Sequence, residues 1–287
     1  SVKPTSGSVL SQEEKLSLQN LLKTQNLVSI IPEIVDPNYI YIKINSNVSY
    51  NPDVTTKTSK DIGILVNAQI MAYSVVKLEK FDRNFRHSKF VKNLDDSDTS
   101  VLGNDTSIII QKRIEPIVGE SRTYTIKFEN PLYHPHDGHK SIINTSTFSY
   151  TKPDGVVSTA LLDDDGEGAI RIYEVIGGVK NIINSNAGTV DYTKGRISLK
   201  DFMPTSVQGT VLKIDAVPNN KDILSERNGI LQIDSSDSES VTVNVGAYKP
   251  YDMTSDSSSS STVSVSSTSS STSSGSSSTT SSGSGGY

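Results

Sequence analysis

The sequence contains no cysteine and no tryptophan, and its charge is nearly balanced. Without cysteine the chain cannot form disulfides, iron–sulfur clusters, thiolate zinc sites or a cysteine nucleophile, which fits synthesis in a reducing compartment. The sequence has 27 lysines and arginines against 32 aspartates and glutamates, and neither sign forms a block. Because this distribution gives no electrostatic footprint for nucleic acid or an anionic membrane, we expect neither as a partner.

Long apolar segments are also missing. We find no apolar run approaching the roughly 20 residues of a membrane helix, and no hydrophobic signal region near Ser1. The chain begins with serine rather than methionine, and we expect it to be a fragment of a longer protein.

Composition and pattern divide the chain into four predicted segments. Residues 254–287 are almost entirely serine, threonine and glycine, which bury too little apolar surface to offset ordering entropy, so we predict a disordered tail. The other predicted segments are a helical segment at 1–35, an α+β module at 36–130 and a small β-rich module at 131–253. The predicted fold class is α+β.

The first predicted element is an N-terminal helix from Gln12 to about Lys23. Ser11 and Glu14 have the spacing of a capping box, in which each side chain satisfies a free backbone N–H at the helix start. Leucines between Leu16 and Leu27 give the helix an apolar side. We therefore expect it to dock on another surface.

The segment 36–130 predicts the element order β-α-α-β-β. Isoleucines alternate with other residues in Tyr39–Ile44, which is typical of a strand. Apolar residues at helical spacing, among them Val76, predict a mostly buried helix from Ser59 to Phe81, and a more polar helix follows. Strands are predicted at Ser107–Ile114 and Tyr124–Phe128, which completes an α+β module.

Beyond Pro131 the pattern changes to short strands separated by glycine-containing turns. Thr189–Leu199 is typical of a hairpin whose turn, Lys194-Gly195, supplies positive φ. Two further alternating strands are predicted at Val211–Val217 and Val241–Val245.

An acidic stretch gives the sharpest local motif match. Asp163, Asp165, Glu167, Gly168, Ile170 and Glu174 fall at the positions of a twelve-residue EF-hand calcium loop. However, Pro153 and Gly155 disrupt an entering helix, and Gly177 and Gly178 stop an exiting one, whereas EF-hands need both helices. We favour a solvated acidic turn that leads into a strand at Ala169–Ile176, with calcium binding as the alternative.

Three histidines, His134, His136 and His139, lie within six residues, and neutral imidazoles can bind zinc. Pro135 separates the first two, Asp137-Gly138 indicates a turn, and no fourth ligand is evident, so we favour a polar loop between the modules. Arg83, Arg86, Lys89 and Lys92 form a basic helix face with Phe85 and Phe90 interleaved, which we interpret as solvated or facing a protein partner.

Recognisable catalytic motifs are absent from the sequence: it has neither G-x-S-x-G nor a glycine-rich phosphate loop after a strand. We therefore assign no catalytic, cofactor-binding or metal-binding residues, and we predict no cofactor and no enzymatic activity.

An ordered succession of segments resembles a known family. The segments are Val35–Ile44, Val48–Pro52, Leu78–Lys89, Phe128–Leu132, Asp164–Gly166 and Gly188–Tyr192. Together they resemble the C-terminal part of the ring-forming baseplate wedge proteins of T-even-type contractile-tailed phages, the baseplate-J-like sixth gene product. The resemblance covers most of residues 10–250, and the serine-rich tail is a departure from it.

The resemblance implies a non-enzymatic virion protein of the tail baseplate, assembled in the host cytoplasm. It implies a homodimer that joins neighbouring wedges into a ring and contacts other wedge subunits, and a further N-terminal half in the full-length protein. Two alternatives remain: a surface or secreted β-rich binding module on a Ser/Thr stalk, dependent on calcium, and an enzyme that holds a metal with His134, His136 and His139.

Overall fold

The structure is a computed structural model that describes residues 2–3, 10–25, 33–248 and 261–263. Within these ranges the helices are α1 (Gln12–Gln25), α2 (Ser59–Tyr73) and α3 (His87–Asp95), with a 3-10 turn at Pro52–Val54 and a π-helical turn at Ser74–Leu78. The strands form two seven-stranded sheets. The predicted α+β class is therefore confirmed.

The first sheet has the order β14-β13-β1-β2-β11-β4, and β12 also pairs with β1. Its strands are β1 (Asn38–Tyr50), β2 (Val101–Ile114), β4 (Ile143–Thr145), β11 (Leu212–Ala216), β12 (Gly229–Gln232), β13 (Val241–Ala247) and β14 (Ser261–Val263).

The second sheet has the order β10-β5-β6-β7-β8-β9-β3. Its strands are β3 (Arg122–Lys127), β5 (Phe148–Thr151), β6 (Val157–Asp164), β7 (Ala169–Ile176), β8 (Val179–Asp191), β9 (Arg196–Phe202) and β10 (Pro204–Val207).

Strand β1 lies inside the first sheet and follows the predicted alternation. Ile40, Ile42 and Ile44 are buried, while the intervening residues lie on the other face of the sheet. Strand β1 pairs antiparallel with β2 and parallel with both β12 and β13. Helix α2 lies near β13 and α3 near β2, so the helices cover the face that carries the buried isoleucines.

Helix α2 begins with a capping box that the sequence analysis missed, in which Thr58 and Asp61 each accept a backbone N–H of the other. Its buried residues include Ile62, Val66 and Ile70, as the predicted stripe requires. The prediction that Leu65, Val75 and Val76 belong to this buried stripe is wrong, because they are 36%, 61% and 57% exposed. The helix changes to a π-helical turn after Tyr73, which shifts the angular spacing of the following residues.

The segment Ser59–Leu78 is long and apolar enough, by length and composition, to cross a membrane. The prediction that no apolar run approaches this length is therefore wrong for this segment. Within it, Ile62, Val66 and Ile70 are completely buried against the rest of the chain.

The order of strands differs from the predicted modules. Strand β3 was expected to complete the 36–130 module, yet it pairs with β9 in the second sheet. Conversely, β11 to β13, which lie in the predicted 131–253 module, pair within the first sheet. The two sheets therefore interleave along the chain and cross the predicted boundary at residue 130. A division into independently folding domains stays a prediction.

Several local predictions are confirmed. Ser11 and Glu14 form the capping box of α1, with Glu14 accepting the backbone N–H of Ser11 at 2.8 Å. The hairpin at 189–199 is formed by β8 and β9, with Gly195 at φ 59° in the turn. A side chain at Gly195 would collide with the backbone of Asn130, which adds a second requirement for glycine.

The predicted tail is described only at Ser261–Val263, which form strand β14 antiparallel to β13. The prediction of disorder throughout 254–287 is therefore wrong for these three residues, because the edge of β13 supplies backbone partners. The remainder of that prediction lies outside the described residues.

Candidate interaction surfaces and predicted ligand residues

The acidic motif lies in the hairpin formed by β6 and β7, and not between two helices. Asp163 is opposite Arg171 in the register, and β7 begins at Ala169, as the turn interpretation predicts. Asp165 accepts the backbone N–H groups of Glu167 and Ala169 at 2.8 and 2.9 Å. Burial works against the charge of Asp165, but these hydrogen bonds lower its pKa.

The first and twelfth positions of the motif lie on opposite faces of this hairpin. Asp163 accepts two hydrogen bonds from Arg171 and pairs with Lys180. Glu174 lies on the other face and forms an ion pair with Lys152 at 3.5 Å. Asp163 shares a face with Arg171, its partner across the hairpin, and Glu174 lies three residues beyond Arg171 on β7. Because successive residues of a strand point to opposite faces, the two carboxylates point away from each other and cannot bind the same ion in this conformation.

Asp164, which was not predicted to have a role, is completely buried. Its Oδ1 accepts hydrogen bonds from the Ser141 hydroxyl at 2.7 Å and from the backbone N–H groups of Ile142 and Ile143 at 2.8 and 2.9 Å. Its Oδ2 accepts the Tyr192 hydroxyl at 2.8 Å. Asp164 thus connects the end of β6 to the segment before β4 and to the β8–β9 turn.

A signal for this role was present in the sequence. Ala160, Leu162 and Asp164 share one face of β6 because residues two apart in a strand are neighbours on that face. A carboxylate on an apolar face needs buried donors. Burial and the hydrogen bond to Asp164 raise the pKa of Tyr192.

The three clustered histidines lie in a loop, as predicted, but His139 is buried rather than solvated. The ring of His134 stacks on Tyr192 with centroids 4.3 Å apart, and His139 contacts both rings edge-on, which explains its burial. His139 Nδ1 donates to the Lys140 carbonyl at 2.8 Å, while its Nε2 is buried and has no partner among the described residues.

The positions of His134, His136 and His139 do not support a metal centre. Within residues 10–25, 33–248 and the two short described stretches, no three His, Asp or Glu side chains are grouped so that they could hold a metal ion. The absence of metal ligands remains a prediction.

The four predicted basic residues are solvent-exposed, but the prediction that they share one helix face is wrong: α3 begins at His87, so Arg83 and Arg86 precede it and only Lys89 and Lys92 lie on the helix. Phe85 and Phe90 are completely buried beside Tyr73, so they serve the core and are not available for base stacking. Arg86 forms an ion pair with Asp222 at 2.8 Å, while Lys89 is exposed.

Lys112 is a buried cation on the same face of β2 as Ile108 and Ile110, and it was not identified from the sequence. Its side chain on β2 donates to the Asn38 amide oxygen at 2.5 Å and to the Tyr39 carbonyl at 2.8 Å. Burial lowers its pKa to about 8, although Glu129 and Glu226 act in the opposite direction. The ammonium group therefore joins β2 to the start of β1 at an electrostatic cost.

Exposed apolar side chains lie on α2 and the π-helical turn after it (Ile64, Leu65, Val75 and Val76), and in two further places. The first, the α1 surface, consists of Leu16, Leu21 and Leu22, which are 56%, 57% and 39% exposed. Among the described residues, none of the α1 side chains is buried. The expected docking of this helix therefore stays a prediction: Lys15 forms an ion pair with Asp36 at 2.6 Å, while Leu16, Leu21 and Leu22 remain exposed.

The second place, the hairpin-tip surface, lies at one end of the second sheet. It consists of exposed residues at the tips of the β5–β6 and β7–β8 hairpins: Val156, Val157, Val175, Ile176, Val179 and Ile182. Ile176 pairs directly with Val179, and Val175 lies on the opposite face, so both faces of the tip are apolar. Contiguous exposed apolar residues of this kind mark protein interaction sites.

Two comparisons with known proteins bear on these surfaces. Residues 38–113 match the family described as baseplate structural protein gp6, C-terminal domain III. Over 164 residues the chain is 28% identical to baseplate wedge protein gp6 of Enterobacteria phage T4. This alignment covers 56% of the chain but only 24% of the T4 protein. The resemblance predicted from the sequence is thereby confirmed, and the family match coincides with β1, α2, α3 and most of β2.

Proposed function

We propose that this chain is a structural component of a phage virion, located in the tail baseplate, which acts through protein–protein interfaces. The observation that carries the proposal is the match of residues 38–113 to a C-terminal domain of a baseplate structural protein. The match falls on the half of the first sheet that the helices cover. The likeness to a structural protein also supports the proposal that the chain catalyses no reaction.

We further propose that the chain self-associates as a homodimer and contacts other wedge subunits, so that neighbouring wedges are joined in a ring. The name of the T4 relative, a baseplate wedge protein, supports contacts with other subunits. The α1 surface supports self-association, because Leu16, Leu21 and Leu22 present apolar area that the described core does not cover. Burying each of these side chains at an interface contributes on the order of 1–2 kcal/mol.

Light scattering on the whole chain tests the self-association. At high micromolar concentration we expect the mass of a dimer. The double substitution Leu16→Ser and Leu21→Ser should shift the equilibrium toward the monomer by at least about tenfold, since it removes two apolar anchors. The matched control is Lys23→Ser, which removes an exposed polar side chain from the same helix and should leave the mass unchanged.

Two results would contradict the proposal. A strict monomer at high micromolar concentration, together with no binding to the other baseplate wedge subunits of the same phage, would reject the assembly role. A dimer that is insensitive to both substitutions would show that α1 is not the surface through which it forms.

A further inference from the structure

Strand β14 occupies the outer edge of the first sheet. On one side β13 pairs with β1, and on the other it pairs with Ser261–Val263, with Asn244 opposite Thr262. Strand β14 also lies beside helix α2. The edge of β13 next to α2 is thus a place where a short extended segment is accepted.

A sheet edge recognises an incoming strand mainly through backbone hydrogen bonds, which any copy of the same segment can make equally well. The connection from Tyr248 to Ser261 can span up to roughly 40 Å when extended, which is enough to reach an adjacent molecule. We propose that β14 is exchanged between copies of this chain, so that Ser261–Val263 of one copy pair with β13 of a second copy.

The exchanged strand makes the same contacts with β13 as the internal strand. Which form dominates therefore depends mainly on the local concentration of the chain's own strand relative to that of a neighbouring copy. A short connection gives the chain's own strand an effective concentration in the millimolar range. In dilute solution the strand therefore pairs within its own chain. Where copies are packed side by side, as in an assembled ring, a neighbour's edge is present at a comparable concentration, and exchange links the copies without any new contact.

The biological setting of this inference rests on the proposed baseplate function, whereas the exchange itself does not. It also differs from the association through the α1 surface, because the two involve separate parts of the chain. Substituting Thr262→Pro and Val263→Pro removes a backbone donor on each of two adjacent residues, one of which must face β13. In this variant β14 should no longer pair with β13 of a second copy, whereas association through the α1 surface should be unchanged.

The absence of cysteine from the chain makes a clean cross-linking test possible. Two whole-chain variants, Asn244→Cys and Thr262→Cys, are mixed and oxidised, and the disulfide-linked heterodimer is measured by mass spectrometry. At about 1 mM we expect at least about tenfold more heterodimer than at about 10 μM, since exchange competes with the internal strand. The control replaces Asn244→Cys with Thr159→Cys, an exposed position on β6 in the other sheet.

The double variant Asn244→Cys/Thr262→Cys reports pairing within one chain. If it forms an internal disulfide while the mixture gives no more heterodimer than the Thr159→Cys control at about 1 mM, the strand stays in its own chain and the proposal is wrong. If neither preparation forms the disulfide, the pairing of β14 with β13 is itself refuted, and exchange with it. Either failure leaves the light-scattering test of the α1 surface untouched.

Discussion

Replacing Asp164 with alanine should destabilise the chain far more than replacing Glu167, the exposed acid in the same turn. The carboxylate is fully buried and accepts four hydrogen bonds, three of them on Oδ1. Alanine would leave the Tyr192 hydroxyl and two backbone N–H groups without their acceptor. Buried donors that lose their partner cost the full desolvation penalty of each group.

The size of the effect follows from this count. A hydrogen bond to a charged group contributes about 1.5–3 kcal/mol, but bonds that share one acceptor are not additive. We therefore expect Asp164→Ala to lower the free energy of unfolding by about 4 kcal/mol, since two backbone N–H groups and the Tyr192 hydroxyl lose their acceptor at about 1–3 kcal/mol each. Asp164→Asn should cost about half as much, since its carbonyl oxygen can still accept on the Oδ1 side while its NH₂ can donate to the Tyr192 hydroxyl.

Urea unfolding followed by circular dichroism measures these differences, because the chain lacks tryptophan as a fluorescent probe. The matched control is Glu167→Ala, an exposed acid in the same turn, which should change the unfolding free energy by less than about 0.5 kcal/mol. Equal effects of Asp164→Ala and Glu167→Ala would refute the reasoning, since Asp164 would then contribute no more than a solvated carboxylate.

Two further predictions concern other charged groups. Because burial lowers the pKa of Lys112 to about 8 in the folded state, the unfolded chain binds more protons above that pH, and stability should rise with pH. Between pH 7 and pH 10 the native chain should gain about 2 kcal/mol relative to Lys112→Met. Relative to Lys43→Met, which keeps Lys112, the native chain should show no such gain: burial disfavours the Lys43 charge, but Asp215 raises its pKa, so Lys43 keeps its proton over this range. Parallel pH curves for the native chain and Lys112→Met would contradict this. Calorimetry should detect no saturable micromolar calcium binding, because Asp163 and Glu174 lie on opposite faces of one hairpin; binding that Asp163→Ala abolishes would favour the calcium-dependent binding module.

Sequence patterns predicted helices, strands and turns well where the pattern depends only on residues close together in the sequence. The alternation of Ile40, Ile42 and Ile44 identified β1, and Lys194-Gly195 identified a hairpin turn, because burial periodicity and positive φ are properties of short segments. The partners of each strand were not predictable in the same way. Ile44 pairs with Val241, almost two hundred residues away, and alternation shows which face is buried but not which strand lies alongside.

The candidate site residues show the same limit. The motif at Asp163 and Glu174 matches a calcium loop in spacing alone, whereas the strand phase of β6 and β7 decides where each carboxylate points. Reading that phase from Ala160 and Leu162 would have placed Asp164 on the buried face. The phase of Ile108 and Ile110 likewise places Lys112 on the buried face of β2, but its partners at the start of β1 are distant in sequence and could not be predicted.

The residues that match the family form only part of the first sheet, so the sheet depends on strands from outside the match. Residues 38–113 supply β1, both helices beside it and most of β2, but the parallel neighbours of β1, which are β12 and β13, come from outside the match. A central strand that lacks neighbours on one side exposes a row of unpaired backbone groups. The C-terminal strands therefore complete the matched half, and the last of them, β14, covers the edge that remains. The outer edge of β13 is therefore completed by the most C-terminal strand of the sheet. In the proposed exchange, a second copy supplies its own β14 at this edge, and the buried face of β1 is not disturbed.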